Sequence, residues 1–276
     1  MTIHEHTNTY VSKKDNLPPL DAANEEQVEV YCYGDIVDGS WFYDPLNPPV
    51  GYVTQDAMKD ALDKAGAKPV LLKIHSSGGD MLVASTIRSM LMAYPGQVTC
   101  QIDGLCASAA TYIATAGSKV RMQDSAFFMI HNPWTVTIGN VEDHRVTIAM
   151  LKELKKGLVE TYLAKSTLEQ SQIEKLMDDE TWMSAKTALG YGFIDEIISQ
   201  PASATAKARA KDALSVMSNA LKGYRDVPRA VQELLNEMNV TEGPGTSVPE
   251  DSSDAEEREQ AVQALREKIK TLKKEK

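Results

Sequence analysis

Ser108 is the lone serine in "GLCASAATYIATAG" (104–117), a run of small residues between an apolar, strand-like stretch and a helix-like one. Serine at such a junction is a favoured helix N-cap. The same place suits a nucleophile, because Gly104, Ala107, Ala109 and Ala110 remove bulk around the hydroxyl. A helix starting there also aims N–H groups and its positive dipole end at a developing oxyanion. A serine hydroxyl becomes a useful nucleophile near neutral pH only when an imidazole takes its proton. His131 closes the apolar stretch "AFFMIH" and is followed by Asn132-Pro133, which must leave the strand. His75 and His144 compete for the role of base, while His4 and His6 lie in a polar leader.

A carboxylate could fix the imidazole tautomer and stabilise its charged form. "MDDETWMSA" (177–185) offers Asp178, Asp179 and Glu180, of which at least two must be ordinary solvated charges before a helix cap at Ser184. "IHSSGGD" (74–80) runs a strand into Gly78-Gly79. Two glycines there serve either a turn at positive φ or an exposed N–H donor that a ligand backbone can approach.

These residues need a scaffold, and the chain alternates strand and helix patterns from about Val28 to Ile198. Strands are expected at 27–34, 69–75, 97–103 and 126–131. Helices are expected at 54–66, capped by Thr54 and stopped by Gly66, and at 81–94. This β-α-β rhythm predicts an α/β fold with a largely parallel sheet. Helices then follow at 141–166, 167–179 and 184–192. In the first, Val146, Met150, Leu154 and Leu158 recur at helical spacing, to pack on the protein's own core or to project into a subunit interface.

Five segments result: a leader (1–26), the α/β domain (27–200), a helix-prone extension (201–240), a linker "TEGPGTSVPEDSSD" (241–254) and a charged helix (255–276). The last opens on the capping-box pattern Ser253-x-x-Glu256 and carries Val262, Leu265, Ile269 and Leu272. That spacing suits a solvated helix or a short coiled-coil seam.

The net charge is −10, and the basic residues form no stripe interleaved with aromatics, which disfavours nucleic-acid binding. No apolar run approaches the ~18 residues of a membrane span, and the leader has no signal-peptide pattern. Cys32, Cys100 and Cys106 lack metal or disulfide spacing, which suits a reducing cytoplasm. There is no GxxxxGK[ST] sequence and no ligand-spaced His/Cys set, so neither a nucleotide nor a metal cofactor is expected.

Taken in order, "IHSSGGD", "GLCASAA", "MIHNP" and "ETWMSAKTALGYGFIDEI" resemble the motifs of the Clp protease proteolytic subunit family, and specifically its phage-type branch of head-maturation proteases. The resemblance covers about 28–198 and implies the ClpP/crotonase fold: repeated β-α-β units, a protruding helical segment and, here, a largely helical or disordered C-terminal extension. It implies a serine endopeptidase with Ser108 as nucleophile and His131 as general base. The oxyanion hole would come from the Gly79 and Ala109 N–H groups, with Gly78 and Ser77 beside the substrate. Glu180 falls where the general family places its aspartate, and Asp179 is the second choice. His75 and Ser77 stand where that family often has Asn and Pro. Cys106, two residues before the serine, reads as a small buried hydrophobe.

The resemblance further implies a ring-shaped homo-oligomer acting on protein or peptide substrates without ATP or metal, with 141–166 as the contact between rings. For the head-maturation branch the substrates would be scaffold, capsid or portal proteins and the chain's own C-terminal segment, in the host cytoplasm or the immature head. Three readings compete: a proteolytic subunit fed by an ATP-dependent unfoldase, a crotonase-type acyl-CoA enzyme, and a non-catalytic scaffold protein on the same fold.

Overall fold

A computed structural model describes residues 11–13, residues 27–199 apart from 43, 45 and 47, and residues 221, 223, 224, 227, 228, 231 and 232 of the extension. All of them belong to the first of the chain's two compact units, Met1–Leu235. The rest of the leader and of 201–240, the linker and the charged helix lie outside the described residues.

Strand β1 (Val11–Lys13) runs antiparallel to β2 (Val28–Ile36), and the short β3 (Tyr52–Val53) is parallel to the end of β2. Helix α1 (Gln55–Ala65) follows. Its N-cap Thr54 accepts from the Ala57 N–H at 3.2 Å, and Gly66 ends it at φ +68°. Strand β4 (Val70–Gly79) leads to α2 (Met81–Ala93), capped by the Asp80 carboxylate on the Leu82 and Val83 amides. Strand β5 (Val98–Ala107) leads to α3 (Ala109–Ala114), then β6 (Lys119–Gln123) and β7 (Phe127–Ile130). The helical stretch comprises α4 (Val141–Lys165) and α5 (Gln170–Asp178). Strand β8 (Thr181–Ser184), α6 (Ala185–Gly190) and β9 (Glu196–Ile198) complete the domain.

The sheet order is β1-β2-β4-β5-β6-β9, parallel from β2 onward, as the β-α-β rhythm predicts. Strand β5 is shared. Its Thr99–Ile102 half pairs with β6, and its Leu105–Ala107 end pairs with β7. Alternate residues therefore face two layers. Val30, Cys32, Leu72, Ile74, Cys100 and Ile102 pack under the helices. Tyr31, Tyr33, Leu105 and Ala107 face the other way, where Leu221 and Val231 of the extension cover them. That second face also buries Lys73 against Asp103 at 3.4 Å, and Asp103 accepts from Gln101 and Tyr33. Burial on both faces accounts for the near-continuous apolar strand "VLLKI".

The structure departs from the sequence reading in places that matter for the site. Strands β4 and β5 run on to Gly79 and Ala107 because backbone pairing outlasts the apolar pattern: Gly78 and Gly79 pair with Asp35 and Ile36, and Ala107 with Met129. Strands β1, in the segment read as a leader, and β3, β6, β8 and β9, all five residues or shorter, are not among the expected ones. Helix α4 buries Leu158, Val159 and Tyr162, whereas Val141, Val146, Ile148 and Met150 in its first half are exposed. Among the described residues no helix is long and apolar enough to cross a membrane.

Candidate active site

Ser108 occupies the N-cap position of α3, yet its side chain makes no capping hydrogen bond. Its Oγ lies 2.7 Å from His131 Nε2 instead. The backbone there has φ +53° and ψ −126°, one of only two positive-φ non-glycine residues among those described. Such a conformation costs about 1–3 kcal/mol and survives only where the surroundings impose it. They do so here. The Ser108 N–H donates to the Met129 carbonyl at 2.9 Å, extending the β5–β7 ladder, and the Ser108 carbonyl accepts from the Thr111 N–H at 2.9 Å and the Thr111 hydroxyl at 2.6 Å. The Tyr162 hydroxyl of α4, 2.6 Å away, completes the support of Thr111.

Gly78 abuts this turn, and Gly79 abuts the end of β2. Gly78 has φ +99°, and a Cβ on it would lie 2.7 Å from Ser108 Cβ and 2.9 Å from the Ala109 amide nitrogen. Gly79 has φ +140°, and its Cβ would lie 2.1 Å from the Ile36 carbonyl oxygen. Neither position accepts a side chain, so the end of β4 reaches the first amide of α3. Ser76 stiffens the approach, donating to the Gly34 carbonyl at 2.6 Å and accepting from the Gly78 N–H at 3.1 Å. The Ser77 hydroxyl donates to Asp35.

His131 is brought in by register. Met129 pairs with Ala107 in the parallel ladder, so the residues beyond the two strand ends, 131 and 108, meet. On its other edge β7 is antiparallel to β8, with Ile130 opposite Thr181. The next position outward on β8's side is Glu180, held at φ +50° by the tight exit from α5. Its Oε2 lies 3.9 Å from His131 Nδ1, and both side chains are buried. That is an ion-pair distance, longer than a hydrogen bond. Catalytic contacts in unliganded enzymes are often this loose.

The other acids are not brought to the imidazole. Asp178 is bound by Lys155 and by Asn132 Nδ2, and the Lys155 hydrogen bond, more than Asn132, holds its carboxyl below the usual range. Asp179 pairs with Lys175, and its side chain is 54% exposed, so the second choice for the third member stays on the surface. His75 is buried with Nδ1 accepting from the Leu105 N–H at 3.1 Å, and burial pushes its imidazole down to about 4. It is a neutral structural residue. His144 is exposed on α4. Burial pushes the Cys32 and Cys100 thiols up to about 12 and that of Cys106 well above its ordinary value, so the cysteine before Ser108 is held as a thiol. Among the described residues no group of three or more His, Cys, Asp or Glu is placed to hold a metal ion.

Two residues at the site were missed from sequence. Trp182 stands on β8 opposite Met129. Tyr224, from the extension, sets its ring edge-on to His131 with centroids 5.2 Å apart, and its hydroxyl donates to the Ser77 carbonyl at 2.6 Å. The available signal was compositional: Tyr224 is the only aromatic residue after Phe193.

Comparison with known proteins points to one family. The Clp protease family profile matches residues 58–201. The ATP-dependent Clp protease proteolytic subunit 1 of Protochlamydia amoebophila is 30% identical over 135 residues, covering 48% of this chain and 66% of that protein. The ATP-dependent Clp protease proteolytic subunit of Streptococcus mutans is 32% identical over 150 residues, covering 53% of this chain and 76% of that protein, and that of Streptococcus pyogenes serotype M1 gives the same figures. The chain thus spans about two thirds to three quarters of the length of these relatives. A serine at a forced backbone turn, a histidine bonded to it, Gly78 against the same helix end and a family match across all three lead to one assignment: the chain belongs to the Clp protease family.

Proposed function

We propose that this protein is a serine endopeptidase in which Ser108 Oγ attacks the peptide carbonyl carbon while His131 Nε2 accepts its proton. The observation that carries the reading is the 2.7 Å contact between these atoms at a serine whose side chain forgoes capping. The Gly79 and Ala109 N–H groups receive the oxyanion, a role supported by the close seating of Gly78, the residue before Gly79, on the start of α3. His131 returns its proton to the departing amine. It then deprotonates the water that splits the acyl-enzyme, which restores the Ser108 hydroxyl. Glu180 orients the imidazole and stabilises its charged form. Every step uses side chains and backbone of this chain, so hydrolysis needs neither nucleotide nor metal.

The active form is a homo-oligomer. Family membership supports a ring, and so does an uncovered apolar stretch: Val136 and Ile138 are 78% and 91% exposed and continue into the exposed first half of α4. The biological task we assign is processing of scaffold, capsid or portal proteins during phage head maturation, in the host cytoplasm or the immature head. It is supported by the "ETW" motif and by the presence of 202–276 beyond the family match. The test is mass spectrometry of the protein incubated for hours alone and with co-expressed head proteins, wild type beside Ser108→Ala. Serine-dependent cuts in the head protein or in the chain's own C-terminal segment support the reading. Intact partners and an intact chain overturn the head-maturation task.

A second reading is favoured by the relatives' own names, which are those of ATP-dependent proteolytic subunits. It predicts instead that an added ATP-driven unfoldase stimulates degradation of folded proteins.

A further inference from the structure

The extension does more than cover a sheet. Leu221 and Val231 are each 4% exposed and sit in one apolar cluster with Tyr31, Tyr33, Leu105 and Met129. At the first anchor a turn places the Tyr224 N–H on the Leu221 carbonyl at 3.2 Å, and at the second the Val231 N–H donates to the Pro228 carbonyl at 2.9 Å. The turn delivers Tyr224 to the one place on the sheet where chemistry is expected. Its ring lies edge-on between His131 at 5.2 Å and Trp182 at 6.1 Å. Its hydroxyl donates to the Ser77 carbonyl at 2.6 Å, two residues from the end of β4.

Those positions are the ones a substrate needs. A carbonyl carbon must come within about 3–3.5 Å of the nucleophile, beside the His131 imidazole against which the Tyr224 ring is set. An extended peptide adding to the end of β4 uses the Ser77 carbonyl as its backbone acceptor, and Tyr224 already occupies it. The Tyr224 hydroxyl is satisfied by the end of β4 next to the glycine pair, and Tyr224 is the only aromatic residue in 201–276.

We propose that Tyr224, held by its anchors Leu221 and Val231, is a latch in cis: it occupies the subsite between His131 and Trp182, and its departure is required before a substrate can reach Ser108. The inference rests on the endopeptidase reading. The latch need not be cut to open. It is an equilibrium occupant, and the rate seen by any external reagent scales with the fraction of molecules in which it is out. The subsite it fills then takes an aromatic side chain from an incoming peptide.

The test is the rate at which a fluorophosphonate probe labels Ser108 in the full-length protein, with Ser108→Ala as the blank. Tyr224→Ala is expected to label about tenfold faster or more than wild type. Tyr224→Phe, which keeps the ring and loses the Ser77 hydrogen bond, is expected to fall between them. A synthetic peptide spanning 219–232 is expected to slow labelling of Tyr224→Ala, and the same peptide with alanine at position 224 is not. Equal labelling of wild type and both variants, with only the melting temperature lowered in Tyr224→Ala, overturns the latch and leaves the catalytic reading standing. Absence of labelling in every variant overturns the catalytic reading, and the latch with it.

Discussion

Ile130 pairs with Thr181 across the antiparallel ladder of β7 and β8, and that one register sets Glu180 beside His131 while Asp178 and Asp179 remain on the surface with lysine partners. Three consecutive acids thereby acquire different environments. Replacing the Glu180 carboxylate by the amide in Glu180→Gln is expected to lower kcat for peptide hydrolysis by about 10²-fold or more. Asp179→Asn is expected to stay within about twofold, as an exposed pair contributes little. Steady-state kinetics on one fluorogenic peptide compares the two, and equal effects would remove Glu180 from the site.

Ser108 is strained for a purpose that alanine and glycine separate. Ser108→Ala is expected to abolish hydrolysis, a loss on the order of 10⁴-fold or more, with the fold retained. Ser108→Gly is equally inactive but relieves the positive-φ turn. It is expected to raise the unfolding free energy by about 1 kcal/mol over the alanine variant. Paired thermal and denaturant melts read the difference. A glycine variant less stable than the alanine one argues against strain at this position.

Gly78 leaves no room for a methyl group. Gly78→Ala would push Cβ to 2.7 Å from both Ser108 Cβ and the Ala107 carbonyl oxygen. The clash is with backbone and with the nucleophile itself, so overpacking and the left-handed φ act together. A loss of about 2 kcal/mol or more in stability is expected. Circular-dichroism melts check it, and any surviving folded fraction should show a lowered kcat because Ser108 has been displaced.

His75 makes stability depend on pH. Burial lowers its folded value to about 4 from 6.5, so between these limits the unfolded chain binds a proton that the folded protein refuses. The stabilisation is complete above about 6.5 and is lost as pH falls towards 4, by about 3 kcal/mol in all. In His75→Asn the side-chain oxygen takes over as acceptor for the Leu105 N–H, and the pH slope in that window is expected to flatten. Denaturant melts at pH 4.5 and 7.5 on both proteins give the difference.

Much of the fold was legible in the residues because it is written locally. Thr54 and Gly66 bracket α1, and the apolar runs at 70–74 and 98–102 are strands, because capping and burial act within a few residues of the signal. The short strands β6, β8 and β9 were not legible. Strands of three to five residues present too few alternations to be told from loops, and they exist only because a neighbouring strand offers a free edge.

The site divides in the same way. Ser108, His131 and the glycine pair were identifiable from the sequence, since small residues around a serine, a histidine at a strand end and two glycines before a helix are each local patterns, and in order they resemble one family. Only the tertiary structure decided whether the Ser108 hydroxyl caps its helix or meets His131, which of three adjacent acids faces the imidazole, and what lies over the pair. Those outcomes depend on ladder register and on a tyrosine well over a hundred positions from the serine in sequence. Distances of that kind are set by packing of the whole sheet, and no window of sequence contains them.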